Sequence, residues 1–101
     1  MESLRVDKWL WFARFCKSRS LAQQLLDSGE VRLNGRPVGK ASAAVKPGDE
    51  LIFPLGRGWR RVQVVSLGSR RGPASEARAL YEDLPPPRET AANPLEKALE
   101  R

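Results

Sequence analysis

The side chains best suited to chemistry in this sequence lie in residues 1–40, and that chemistry is the capture of a polyanion. They are Arg5, Lys8, Arg14, Lys17, Arg19, Arg32, Arg36 and Lys40. A guanidinium forks onto two phosphate oxygens, and the free N–H groups at a helix start add oriented donors. Lys17 and Arg19 flank such a start. Trp11 falls among these cations rather than with its apolar neighbours. It reads either as an indole that stacks on an unpaired base, worth about 1–3 kcal/mol per base, or as the cover of a core edge. Each cation taken alone is an ordinary solvated residue; their clustering beside a helix start is what points to function.

Nothing comparable argues for catalysis. The chain has no histidine and a single cysteine, so the commonest general base is missing and no soft metal-ligand cluster can form. No glycine loop is followed by Lys-Ser or Lys-Thr, which disfavours a nucleotide cradle. Asp49 and Glu50 are adjacent, and a strand would aim them at opposite faces. No catalytic residue, cofactor or metal is therefore expected.

A length of 101 residues allows one domain, and 18 Lys+Arg against 12 Asp+Glu leave a formal charge of +6. That excess favours nucleic acid as partner, with an anionic membrane surface second. Cys16 alone cannot close an intramolecular disulfide and fits a reducing compartment. Glu2, Arg5, Asp7 and Lys8 occupy the place of a signal peptide's basic flank and apolar run, and no stretch nears the roughly 18 apolar residues of a membrane span. A cytoplasmic location is expected.

The elements that must position the cations can be read in order. A helix is expected over residues 5 to 17, with Asp7 as N-cap or first-turn acid. Its apolar arc holds Val6, Trp9, Leu10, Ala13 and Cys16; Asp7, Lys8, Trp11 and Arg14 fall on the other. Trp9 and Phe15 read as core. Ser18 or Ser20 caps a second helix of about ten residues that packs through Leu21, Ala22, Leu25 and Leu26 and closes at Ser28-Gly29. Asn34-Gly35 between Glu30–Leu33 and Arg36–Val38 is a strong hairpin signal. Val45-Lys46-Pro47-Gly48-Asp49 is a tight turn ahead of the buried strand Leu51–Phe53. A turn at Gly56-Arg57-Gly58 leads to a strand over Trp59–Leu67, with Val62, Val64 and Leu67 as core. A basic loop over Gly68–Pro73 carries Arg70 and Arg71, and a helix is expected over Ala74–Leu84. Pro85-Pro86-Pro87 then ends regular structure. Residues 88–101 hold Arg88, Lys97 and Arg101 against Glu89, Glu96 and Glu100. They are expected to be mobile, with at most a short helix after Asn93-Pro94. The chain thus divides into a domain over 1–67, a loop and helix over 68–84, and a tail over 85–101.

The order Arg5-Val6-Asp7-Lys8-Trp9-Leu10, Lys17-Ser18-Arg19, Ala22, Gly29, Val31, Asn34-Gly35 and Val45-Lys46-Pro47-Gly48-Asp49 resembles the RNA-binding domain named after ribosomal protein S-four. Asp7-Lys8-Trp9-Leu10-Trp11, Pro73-Ala74-Ser75-Glu76-Ala77 and Leu80-Tyr81-Glu82 are similar to the bacterial fifteen-kilodalton heat-shock protein family. Together these stretches reach from residue 5 to residue 84. The resemblance implies an α+β fold, with two N-terminal helices packed on a small, twisted, mostly antiparallel sheet and an added C-terminal strand and helix. It also implies non-enzymatic binding to structured ribosomal RNA. The partner would be the large ribosomal subunit carrying a nascent chain on transfer RNA, in recycling or rescue after stress. By position it adds Ser18 and Asn34 to the RNA-facing set of Arg5, Lys8, Arg14, Lys17, Arg19, Arg32 and Lys40; Arg36 and Trp11 come from the residues themselves. The family's extended basic tail has no counterpart in the neutral residues 88–101.

Three other readings share parts of this pattern. A general binder of structured RNA or of DNA, acting off the ribosome, would share the same surface. S-four domains also occur attached to RNA-modifying enzymes, but no catalytic domain fits beside this one. The first helix is amphipathic and basic enough to suggest a membrane surface, yet its apolar arc is needed for its own core. A monomer is expected.

Overall fold

The computed structural model describes residues 2–85; the expected mobile tail beyond Pro85, and the helix after Asn93-Pro94, lie outside the described residues. Around the apolar arc of the first helix, α1 (Val6–Phe12), the rest of the domain assembles. Val6, Trp9 and Leu10 are fully enclosed, and the Trp9 indole N–H donates to the Ser66 carbonyl at 2.9 Å, so its one polar atom is satisfied. Cys16 is buried, and burial pushes its thiol up, as befits a small core side chain.

The helix stops five residues short of the expected end. Arg14 adopts φ 66, its N–H bonding to the Trp11 carbonyl at 3.0 Å while the Phe15 N–H reaches the Leu10 carbonyl at 3.0 Å. That pair of bonds is a Schellman stop with an arginine where glycine is usual. It turns Phe15 onto the core, against Phe53 (5.0 Å between ring centroids) and Tyr81 (4.6 Å).

The second helix, α2 (Arg19–Asp27), is capped by Ser18, whose hydroxyl accepts from the Leu21 N–H at 3.1 Å. Gly29, at φ 81, lies just beyond its end. Ala22 and Leu26 are enclosed, Leu25 is half-buried and Leu21 is exposed, so Leu26 rather than Leu25 anchors this helix on α1.

A short antiparallel pair, β1 (Leu4–Arg5) with β4 (Ala44–Val45), ties the start of α1 to the chain after residue 40. The main sheet is antiparallel, in the order β3 (Arg36–Pro37), β2 (Arg32–Leu33), β5 (Glu50–Leu55), β6 (Gly58–Val64), β7 (Tyr81–Leu84). Asn34 and Gly35, at φ 53 and 86, make the two-residue hairpin turn that their sequence announces. Gly48, at φ 96, supplies the positive angle of the turn before β5.

The third expected helix is mostly not one. Ala74–Ala77 forms a single α turn (α3), Arg78–Leu80 a 3-10 turn, and Tyr81–Leu84 a strand that pairs with β6 from Val64↔Tyr81 to Arg61↔Leu84. Ala77, Leu80, Tyr81 and Leu84 have helical spacing, but the open edge of β6 offers backbone partners that a helix would leave unmet. The strand expected over Trp59–Leu67 likewise ends at Val64, although Leu67 stays buried. The result is the α+β arrangement of two helices on a mostly antiparallel sheet, with its C-terminal strand at one edge.

Candidate nucleic-acid interface

The junction of α1 and α2 is organised by an acid that the helical pattern had placed on the outward arc. The Asp7 side chain has no exposed surface. Its carboxylate accepts from Arg5 Nη2 at 3.0 Å and Arg5 Nε at 3.2 Å, from Gln23 Nε2 at 3.0 Å and, at 3.5 Å, from Arg19 Nη2. Burial alone would raise this carboxyl, but the hydrogen bonds from Arg5 and Gln23, with the charge of Arg5, outweigh it and hold the group below the usual carboxylate range. Asp7 is therefore a first-turn acid but not a surface one, and the N-cap position belongs to Arg5, which makes no side-chain cap.

The arginines it holds remain accessible. The side chains of Arg5 and Arg19 are 48% and 39% exposed, so each presents a guanidinium to solvent while its other edge is pinned. Arg19 Nε is enclosed without a hydrogen-bond partner among the described residues, an unmet donor beside the Asp7 contact. Lys17, exposed, precedes the Ser18 cap and enters none of the ion pairs among the described residues. The loop that follows the hairpin comes to the same end of α1, since the Val6 N–H bonds to the Ala43 carbonyl at 2.7 Å. It brings exposed Lys40 there. Arg36 and Lys40 line one open groove of about 860 Å³, with Leu33, Asn34, Val38 and Ala43. Arg5 and Arg19 thus meet at the N-terminal end of α1 with Lys17 at the start of α2, while Lys40 links this end to the groove that holds Arg36.

Other expected residues are placed elsewhere. Arg32 faces away from Arg36: Leu33 is opposite Arg36 and Arg32 opposite Pro37, so the two cations project from opposite sides of the hairpin. Arg14 does not project from α1 but donates from Nη1 to the Gly72 carbonyl at 2.7 Å. Trp11 is half-buried, not an open platform; Arg71 lies over its ring at 5.8 Å and donates to its carbonyl at 3.1 Å. Lys8 sits over the Phe12 ring at 5.6 Å. Ser18 is occupied as the cap of α2. Asn34 is occupied too, donating to Asp49 Oδ1 at 3.1 Å and accepting from the Glu50 N–H at 2.9 Å.

The sequence reading did not include Gln23 and Asp7 as parts of this site. Asp7 carried a signal, since it stands within the same motif as Arg5 and is followed by Arg19, but two pairing partners in different elements cannot be told from helical periodicity. The two adjacent acids at 49 and 50 are both committed to the fold, Asp49 to Lys46 and Asn34, Glu50 to Arg61 at 2.6 Å.

Comparison with known proteins places this geometry. Residues 4–51 match the S4 domain. Heat shock protein 15 of Escherichia coli (strain K12) is 42% identical over 80 residues, which cover 79% of this chain and 59% of that protein. The RQC P-site tRNA stabilizing factor of Halalkalibacterium halodurans is 35% identical over 79 residues, covering 78% of this chain and 88% of that one. A trimeric structure of Vibrio cholerae heat shock protein 15 superimposes with a TM-score of 0.77 at 32% identity, covering 99% of this chain and 97% of that chain. The chain spans about three-fifths of the length of the Escherichia coli and Haemophilus influenzae relatives it matches. With that agreement in sequence and in three dimensions, the chain belongs to the S4-domain proteins of the heat shock protein 15 family.

Proposed function

We propose that this chain binds structured ribosomal RNA, without chemistry, through the cations gathered around the Asp7 carboxylate. The observation that carries the reading is the pinning of Arg5 and Arg19 by one buried acid beside Lys17, which enters no ion pair among the described residues, at a capped helix start. Fixed guanidiniums lose little side-chain entropy when phosphate arrives, and the nearby helix start supplies N–H donors. Two relatives carry the name RQC P-site tRNA stabilizing factor, which supports a partner that includes transfer RNA. We place this chain on the large ribosomal subunit carrying a nascent chain on transfer RNA, in recycling or rescue after stress, in the cytoplasm.

Sedimentation tests this directly. The tagged chain should travel with large subunits and more strongly with those that hold a stalled nascent chain. Absence from both fractions, with RNA binding intact in solution, would replace the proposal with a binder of RNA or DNA acting off the ribosome.

A further inference from the structure

A second cationic cleft is formed where the segment after α1 meets the β5–β6 hairpin and the Ala74–Tyr81 stretch. Arg14, Phe15, Leu55, Arg60, Arg78 and Tyr81 line it, with Ala13, Ala74 and Ala77 at its back, and it encloses about 290 Å³. That is at the small end of the roughly 300–1,000 Å³ typical of single-ligand sites. Its floor is aromatic: the Phe15 and Tyr81 rings lie 4.6 Å apart and tilted by 51°, and the Arg60 guanidinium sits 5.2 Å from the Phe15 centroid. Leu55, at 37% exposure, is one of the three exposed large apolar side chains among the described residues. Among the described residues, Arg60 alone of the three arginines forms an ion pair, with Asp83 at 2.5 Å. Arg14 is steered by its bond to the Gly72 carbonyl, and exposed Arg78 enters no ion pair among the described residues.

We propose that this cleft receives one unstacked nucleotide of the bound RNA, its base against Tyr81 and the Arg60 plane and its phosphate on Arg78 and Arg14. The inference rests on the RNA reading above and adds a second point of contact to it. Aromatic rings and guanidinium planes are the surfaces on which splayed-out bases stack, and the cleft is too narrow for a duplex. An acidic peptide would use the cations but gains little from the aromatic floor. Arg14 and Arg78 both line this cleft with the aromatic pair, so a nucleotide stacked there would have its phosphate within the same cationic lining.

The test compares two RNA probes, a blunt stem-loop and the same stem-loop with one bulged nucleotide, on the full chain and on Arg78→Ala and Arg78→Glu. Arg78 is exposed, so both variants should melt at the wild-type temperature. Wild type should bind the bulged probe about tenfold more tightly, as one stacked base allows, and Arg78→Glu should abolish that preference while leaving the blunt probe nearly unchanged. An equal loss on both probes, or no loss on either, would overturn the cleft as a nucleotide site and leave the α1–α2 surface standing. Binding of neither probe by wild type would remove the RNA reading and this site together. A polyglutamate peptide that competed as well as the bulged RNA would reassign the cleft to a protein partner.

Discussion

Asp7 shows how a single side chain can serve both fold and surface. Its carboxylate, and that of Asp49, sit below the ordinary carboxylate range because donors from other elements outweigh the cost of burial: Arg5 and Gln23 at Asp7, Asn34 and Lys46 at Asp49. A lowered folded-state pKa means that the unfolded chain takes up protons first, so this stabilisation is complete above the ordinary value of 3.8 and disappears as pH falls through the folded-state values. The melting temperature should therefore drop steeply below about pH 4. In Asp7→Asn with Asp49→Asn that drop should be much shallower, from a lower starting point near neutral pH; an unchanged acid profile would show that other groups carry it. Neither acid's role could be read from the residue alone. The cations were legible as a class, because eight of them crowd into forty residues. Which ones the fold pins, diverts or splits apart depended on partners far along the chain, such as Gly72 for Arg14 and Arg71 for Trp11.

At the level of elements, local and non-local devices differ. The Ser18 cap, the Asn34-Gly35 hairpin and the Pro47-Gly48 turn are local devices whose chemistry is written in consecutive residues, and each stands where the sequence put it. The end of α1 and the last strand are not local. Arg14 carries no mark of a left-handed residue, and the stretch Ala77–Leu84 keeps helical spacing while the free edge of β6 draws Tyr81–Leu84 into the sheet. The second helix offers a quantitative check. Leu26→Ala removes a fully enclosed side chain and should cost about 2–5 kcal/mol, whereas Leu21→Ala, at 45% exposure, should stay within about 0.5 kcal/mol. Denaturant titration of both variants measures the difference, and comparable losses would mean that α2 packs on α1 by another face.

For the molecule as a whole, the question is whether its positive charge acts as a surface or as a scatter. The structure answers in part: Arg5 and Arg19 meet on Asp7, Lys17 stands just ahead of the Ser18 cap, Arg36 and Lys40 share a groove, Arg32 faces the other side of the hairpin, and Arg14 with Arg78 borders a separate cleft. A convergent set should release counterions together when phosphates bind. The most direct measurement is the affinity for a ribosomal RNA stem-loop as a function of salt, for wild type, Lys17→Ala and Arg19→Ala. Log affinity should fall steeply and linearly with log salt in wild type, and each substitution should reduce the slope by about one with the fold intact. A shallow wild-type slope, or variants whose slopes match wild type, would contradict the account.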